Sequence, residues 1–112
     1  MENYFAECNY AVTVCDLNAT IIYMNDRACK VFEKYGGREL VGKSLFTCHN
    51  EYSCNMIKKF LEDGTTNVYT IEKAGVKKLI HQSPWFKNGK IAGLVELSLE
   101  LPADMPNFIR TP

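Results

Sequence analysis

The sequence predicts an α+β domain in which antiparallel strands carry helices on one face. Three observations lead there: a run of alternating segments with tight-turn signals in the last third of the chain, a shorter hairpin near its start, and two capped amphipathic stretches between them. Val68 to Lys73 alternates Tyr69 and Ile71 with Thr70 and Glu72, then breaks at Ala74-Gly75. Val76 to Phe86 sets Leu79, His81, Ser83 and Trp85 against Lys78, Ile80 and Gln82 and closes at Asn88-Gly89. Both residues of that dipeptide tolerate the positive φ that a type I′ hairpin turn needs. Ile91 to Leu101 places Ile91, Gly93, Val95, Leu97 and Leu99 on one face and Glu96, Ser98 and Glu100 on the other. Such a meander buries one face, so another part of the chain must cover it.

The first half supplies the cover. Ala11 to Asp16 is a short β-branched run, Asn18 suits a left-handed turn position, and Thr20 to Asn25 completes a hairpin. Asn25 is then an N-cap for a helix in which Ala28, Val31, Phe32 and Tyr35 recur at helical spacing, ended by Gly36-Gly37. Asn50 caps a longer helix with Cys54, Ile57, Phe60 and Leu61 on one stripe and Lys58, Lys59 and Glu62 on another, stopped by Gly64.

At 112 residues and 46% hydrophobic, the chain is long enough to bury a core without a metal or disulfide. Thirteen basic residues balance thirteen acidic ones, which leaves no electrostatic footprint for nucleic acid or an anionic membrane. Five cysteines, an odd number, follow a start with neither a basic nor an apolar leader segment, so the expected location is cytoplasmic. Cys15, Cys29 and Cys54 sit at apolar phases of strands and helices, where a free thiol behaves as a small hydrophobe. Zinc favours paired ligands two to four residues apart, and Cys48, His49 and Cys54 form the nearest local cluster without such a pair. Motifs for phosphate, dinucleotide, nucleophile-elbow or zinc-hydrolase chemistry are absent, so no enzymatic activity is expected.

The element order resembles the PAS (Per-Arnt-Sim) family from Ala11 to about Glu100. The likeness is carried by AVTVCDLNATIIYMN with Asp16 and Asn25, by GRELVGKSLFTCHN through Leu40, Val41, Gly42, Lys43, Ser44 and approximately His49, and by the closing GKIAGLVELSLE. The resemblance implies a five-stranded antiparallel sheet in the order 2-1-5-4-3 with helices packed on one face and a small-molecule pocket between. The expected division is residues 1–10 as a cap or dimerisation segment, on its apolar Tyr4, Phe5 and Tyr10, 11–101 as the PAS domain, and 102–112 as a Pro-rich tail.

Members of that family hold haem, flavins, small acids, fatty acids or nothing visible. Leu45 stands where photochemical flavin members carry cysteine, and the helix from Glu51 to Glu62 has no histidine to ligate haem. Candidate pocket walls are Met24, Phe32, Leu45, Phe46, His49, Met56, Phe60, Tyr69, His81 and Trp85, the last two if their strand face looks inward. Pro102, Pro106 and Pro112 oppose a continuous signalling helix after Leu101, so output is expected through homodimerisation or a signalling-protein partner. Two functions stand open: a sensory module that binds a small molecule, or a ligand-free interaction module with a filled core.

Overall fold

The computed structural model describes residues 2–48 and 50–112. Strands β1 (Ala11–Asp16) and β2 (Ile21–Met24) precede helix α1 (Asp26–Val31), then 3₁₀ turns at Glu33–Tyr35, Gly37–Leu40 and Leu45–Cys48. Helix α2 (Glu51–Asp63) leads into β3 (Asn67–Lys73), β4 (Val76–Lys87) and β5 (Lys90–Leu101). The strands form one antiparallel sheet in the order β2-β1-β5-β4-β3, as the resemblance implies.

Local chemistry sets these elements. Ala74 (φ 52°) with Gly75 (φ 79°), and Asn88 (φ 53°) with Gly89 (φ 77°), supply the consecutive left-handed residues of the two predicted tight turns. In the first hairpin the left-handed residue is Ala19 (φ 60°) rather than Asn18. The cause is Asp16, whose Oδ1 accepts from the backbone N–H of Asn18 at 2.9 Å and Thr20 at 3.0 Å and so fixes the turn from its first residue. Asn25 and Asn50 both cap as expected, accepting from the N–H of Ala28 and Ser53. The first helix ends earlier than its apolar spacing suggests, because the chain tightens into 3₁₀ turns after Phe32.

Pro84 is tolerated within β4 because β3 pairs only with Val76 to Gln82, leaving one flank of β4 open at that point. The core gathers Ala11, Cys15, Ile21, Met24, Ala28, Leu40, Leu45, Ile57, Phe60 and Leu94 between helices and sheet. Burial pushes the Cys15 thiol up to about 11, so it stays protonated and packs as an apolar group.

The helices cover the sheet face that carries Ile80, Gln82, Leu94 and Glu96, all buried. Val95, Leu97, Leu99, Leu79, His81 and Trp85 alternate with these and lie on the opposite, half-buried face. The more apolar set of β5 is therefore the outer one. Alternation states which side chains share a face; it does not state which face is covered.

On that outer face Trp85 pairs with Gly93 and crosses it, so that its Nε1–H donates to the Cys15 carbonyl of β1 at 2.9 Å. One side chain thus ties β4 to β1 across β5. Trp85→Ala should cost about 3 kcal/mol by thermal or denaturant unfolding. An unchanged melting temperature would show that the ring adds nothing to the sheet.

The segment before β1 folds back on its own domain. The buried amide of Asn25 donates to the carbonyls of Phe5 and Tyr10, both at 2.8 Å, and Asn3 bonds to the Tyr23 hydroxyl. After Leu101 the chain is exposed, with Met105, Phe108 and Ile109 presenting apolar side chains to solvent.

Candidate functional site

A cleft of about 400 Å³ opens between the first turns of α2 and the β3–β4 side of the sheet. That volume lies within the range of about 300–1,000 Å³ typical of small-molecule sites. Tyr52, Ser53 and Met56 line it from the helix, and Asn67, Tyr69 and Gln82 from the sheet. The Asn50 cap fixes where α2 begins, and residues 52, 53 and 56 then fall on one side of it. Asn67 and Tyr69, two apart on β3, point to the same face, and the ladder sets Asn67 opposite Gln82.

The cleft wall is backed by a polar relay. Gln82 is 3% exposed and Glu96 9% exposed, yet they meet directly: Gln82 Nε2 donates to Glu96 Oε2 at 2.7 Å. Asn67 Nδ2 donates to Gln82 Oε1 at 3.2 Å. Burial, and next the Glu96 charge, raise the Tyr69 phenol pKa, so Tyr69 stays protonated and able to donate or accept at neutral pH. Among the described residues every buried side-chain nitrogen and oxygen has a hydrogen-bond partner.

Of the residues singled out from sequence, Met56 and Tyr69 line this cleft. Met24, Leu45 and Phe60 are core residues, with Phe32 and Phe46 packed against them. Their bulk fills the space between α1, α2 and the sheet, so the cavity lies to one side, toward β3. His81 and Trp85 are on the outer face, because they alternate with Ile80, Gln82 and Pro84. His49 lies outside the described residues.

Sequence reading missed Tyr52, Ser53, Asn67, Gln82 and Glu96. The available signal was phase: Gln82 is in register with Ile80, and Glu96 with Leu94, two polar residues in the rhythm of buried ones. Among the described residues no group of three His, Cys, Asp or Glu side chains could hold a metal ion. No described helix is long and apolar enough to cross a membrane.

No protein-family model matches the chain, and no curated protein matches it. Solved structures do resemble it. A sensory box sensor histidine kinase from Vibrio cholerae superposes with a TM-score of 0.62 at 16% identity, covering 84% of this chain and 83% of that one. The Aer2 receptor of Vibrio cholerae, described as a dual PAS-haem oxygen sensor, gives 0.63 at 13% identity, covering 84% and 96%. VqmA of Vibrio cholerae, solved with ligand and DNA, gives 0.64 at 18% identity; the match covers 87% of this chain and 48% of that one.

Proposed function

Because the chain has the PAS fold, we propose that it is a non-enzymatic sensory module that binds a small molecule in the α2–β3–β4 cleft and signals through homodimer or partner association. The observation that carries this reading is the Gln82–Glu96 pair beside the cavity. A buried carboxylate and amide cost desolvation energy that an apolar pair would avoid, so their retention beside a cavity supports a role for them in that cavity. A binding site does, since a few fixed polar groups on an otherwise apolar wall orient a ligand.

The proposed signalling surface is the outer face of the sheet, where Leu79, Val95, Leu97 and Leu99 are half-exposed. Its residues alternate along β4 and β5 with Gln82 and Glu96 of the relay, so a shift of the relay is felt one peptide away on the other face. A second reading, a ligand-free interaction module, draws on the same apolar face and on the filling of the core by Met24, Leu45 and Phe60.

Native mass spectrometry of protein isolated from its source separates the two. The sensory reading expects a dimer that retains a small molecule in near-stoichiometric amount. A dimer carrying no added mass supports the interaction module instead. A monomer carrying none contradicts the sensory reading and leaves the interaction module only a different protein as its partner.

A further inference from the structure

The two edges of the sheet differ. Along β2 the edge is covered by the connection after Leu40: the Gly42 N–H donates to the Ile21 carbonyl at 2.7 Å, the Ile21 N–H donates to the Lys43 carbonyl at 2.8 Å, and Thr20 bridges Ser44. At the other end of the strand order, β3 has no such cover among the described residues. It is seven residues long, pairs with β4 in unbroken register, contains no proline, and confines its charges to Glu72 and Lys73 at its end. Natural sheets blunt open edges with bulges, prolines and central charges, because a free edge offers a row of unpaired N–H and C=O groups to another strand.

Which groups face outward follows from the turn. Ala74-Gly75 closes a two-residue hairpin, which makes Lys73 and Val76 a hydrogen-bonded pair, and by alternation Ile71, Tyr69 and Asn67 also bond to β4. The backbone N–H and C=O of Val68, Thr70 and Glu72 therefore point away from the sheet. A strand that is its own antiparallel partner pairs about a two-fold axis, and an axis at Thr70 uses all of these groups at once: Thr70 meets Thr70, and Val68 meets Glu72. A shift of one pair in either direction sets one of the three against a residue outside β3. The side chains fit the same register. Tyr69 stands opposite Ile71, an aromatic and β-branched pair, and both are exposed in the single chain. Glu72 and Lys73 oppose Val68 and Asn67, so no like charges meet.

We propose that β3 is the interface with a second copy of this chain, the two strands joining antiparallel about Thr70 into one continuous sheet. This rests on the homodimer branch of the reading above and not on ligand binding, since the backbone groups match whether or not the cleft is occupied. The helices leave room for it: α2 packs over β4 and β5, and the cleft separates it from β3. Asn67 and Tyr69 line that cleft from the paired strand, so Lys73 and Ile71 of the second copy stand at its margin. The outer face of the sheet stays free for a signalling partner.

The test uses the full chain and a charge exchange at Thr70, an exposed residue whose replacement leaves the core untouched. Wild type is expected to sediment as a concentration-dependent dimer, populated at about 100 µM, as suits a small interface. Thr70→Lys and Thr70→Glu each set like charges against one another on the two-fold axis and should weaken self-association at least about tenfold while the fold is retained. An equimolar mixture of the two should associate again, because Lys then meets Glu. Amide exchange reads the register: the N–H groups of Val68, Thr70 and Glu72 should slow on dimerisation, whereas those of Tyr69 and Ile71 are protected at every concentration. A wild type that stays monomeric at millimolar concentration would overturn the proposal, as would a mixture no more associated than its components. A dimer that survives Thr70→Lys, or in which the amides of Val68, Thr70 and Glu72 exchange freely, would also overturn it while leaving the homodimer to another surface.

Discussion

Replacing Asn25 with Ala is expected to lower stability by about 4 kcal/mol and the melting temperature by at least about 10 °C. The residue is 1% exposed and its side chain is shared by three parts of the chain. Oδ1 accepts from the N–H of Val12 and of Ala28, both at 2.9 Å, joining the start of β1 to the first turn of α1. Nδ2 donates to the carbonyls of Phe5 and Tyr10 and approaches the Cys8 sulfur at 3.3 Å. Truncation strands two buried N–H groups and leaves the Phe5 and Tyr10 carbonyls only their weaker contacts with Cys8, and each stranded group costs about 1–3 kcal/mol before relaxation and water entry reduce the sum. Asn25→Asp separates the roles. It keeps both acceptor contacts, so β1 and α1 should stay joined, but it sets a carboxylate against the Phe5 and Tyr10 carbonyls. Limited proteolysis should then release the segment before Ala11 while the rest of the domain remains folded. A melting temperature within about 2 °C of wild type for Asn25→Ala would contradict this account.

Gly93→Ala is expected to cost more than about 3 kcal/mol or to prevent folding. The backbone conformation there is not the obstacle, since Gly93 is not among the residues with positive φ. Space is: a Cβ would fall far inside van der Waals contact with the Cys15 carbonyl oxygen and 2.9 Å from its carbon. The oxygen is also the acceptor for Trp85 Nε1, so relief of the clash requires β1 and the indole to move together. Gly75→Ala is the matched control. Its φ of 79° is unfavourable for alanine, yet nothing lies within 4 Å of the added carbon, so the expected cost is only about 1–2 kcal/mol. Equal losses in the two variants, measured by denaturant unfolding, would show that close packing at Gly93 is not what matters.

Both late hairpin turns and both helix caps were legible because each depends on local chemistry: positive-φ residues at Ala74-Gly75 and Asn88-Gly89, and side-chain acceptors at Asn25 and Asn50; the strand order came only from the family resemblance. The orientation of the sheet was not. Leu97 and Leu99 are more apolar than Glu96 and Ser98, and hydrophobicity alone selects them for the interior. The helices instead cover Glu96, whose burial is supported by a partner 14 residues away in sequence, Gln82. That pairing is fixed by the β4–β5 register, which a single-strand pattern does not contain. The candidate site suffered accordingly: large apolar residues found from sequence fill the core, while the polar relay beside the cavity went unread. Trp85 was read from sequence as a candidate pocket wall; its actual partner, a backbone carbonyl two strands away, carries no sequence signature.

The central claim is that a small molecule in the α2–β3–β4 cleft changes the opposite, outer face of the same sheet. Hydrogen–deuterium exchange tests it most directly, comparing protein isolated with its retained small molecule against the same protein refolded free of it. The expected result is slower exchange with ligand at Tyr52 to Met56, Asn67 to Tyr69 and Gln82, together with a change across Val95 to Leu99. Exchange that is identical in both samples at all of these segments would contradict the claim.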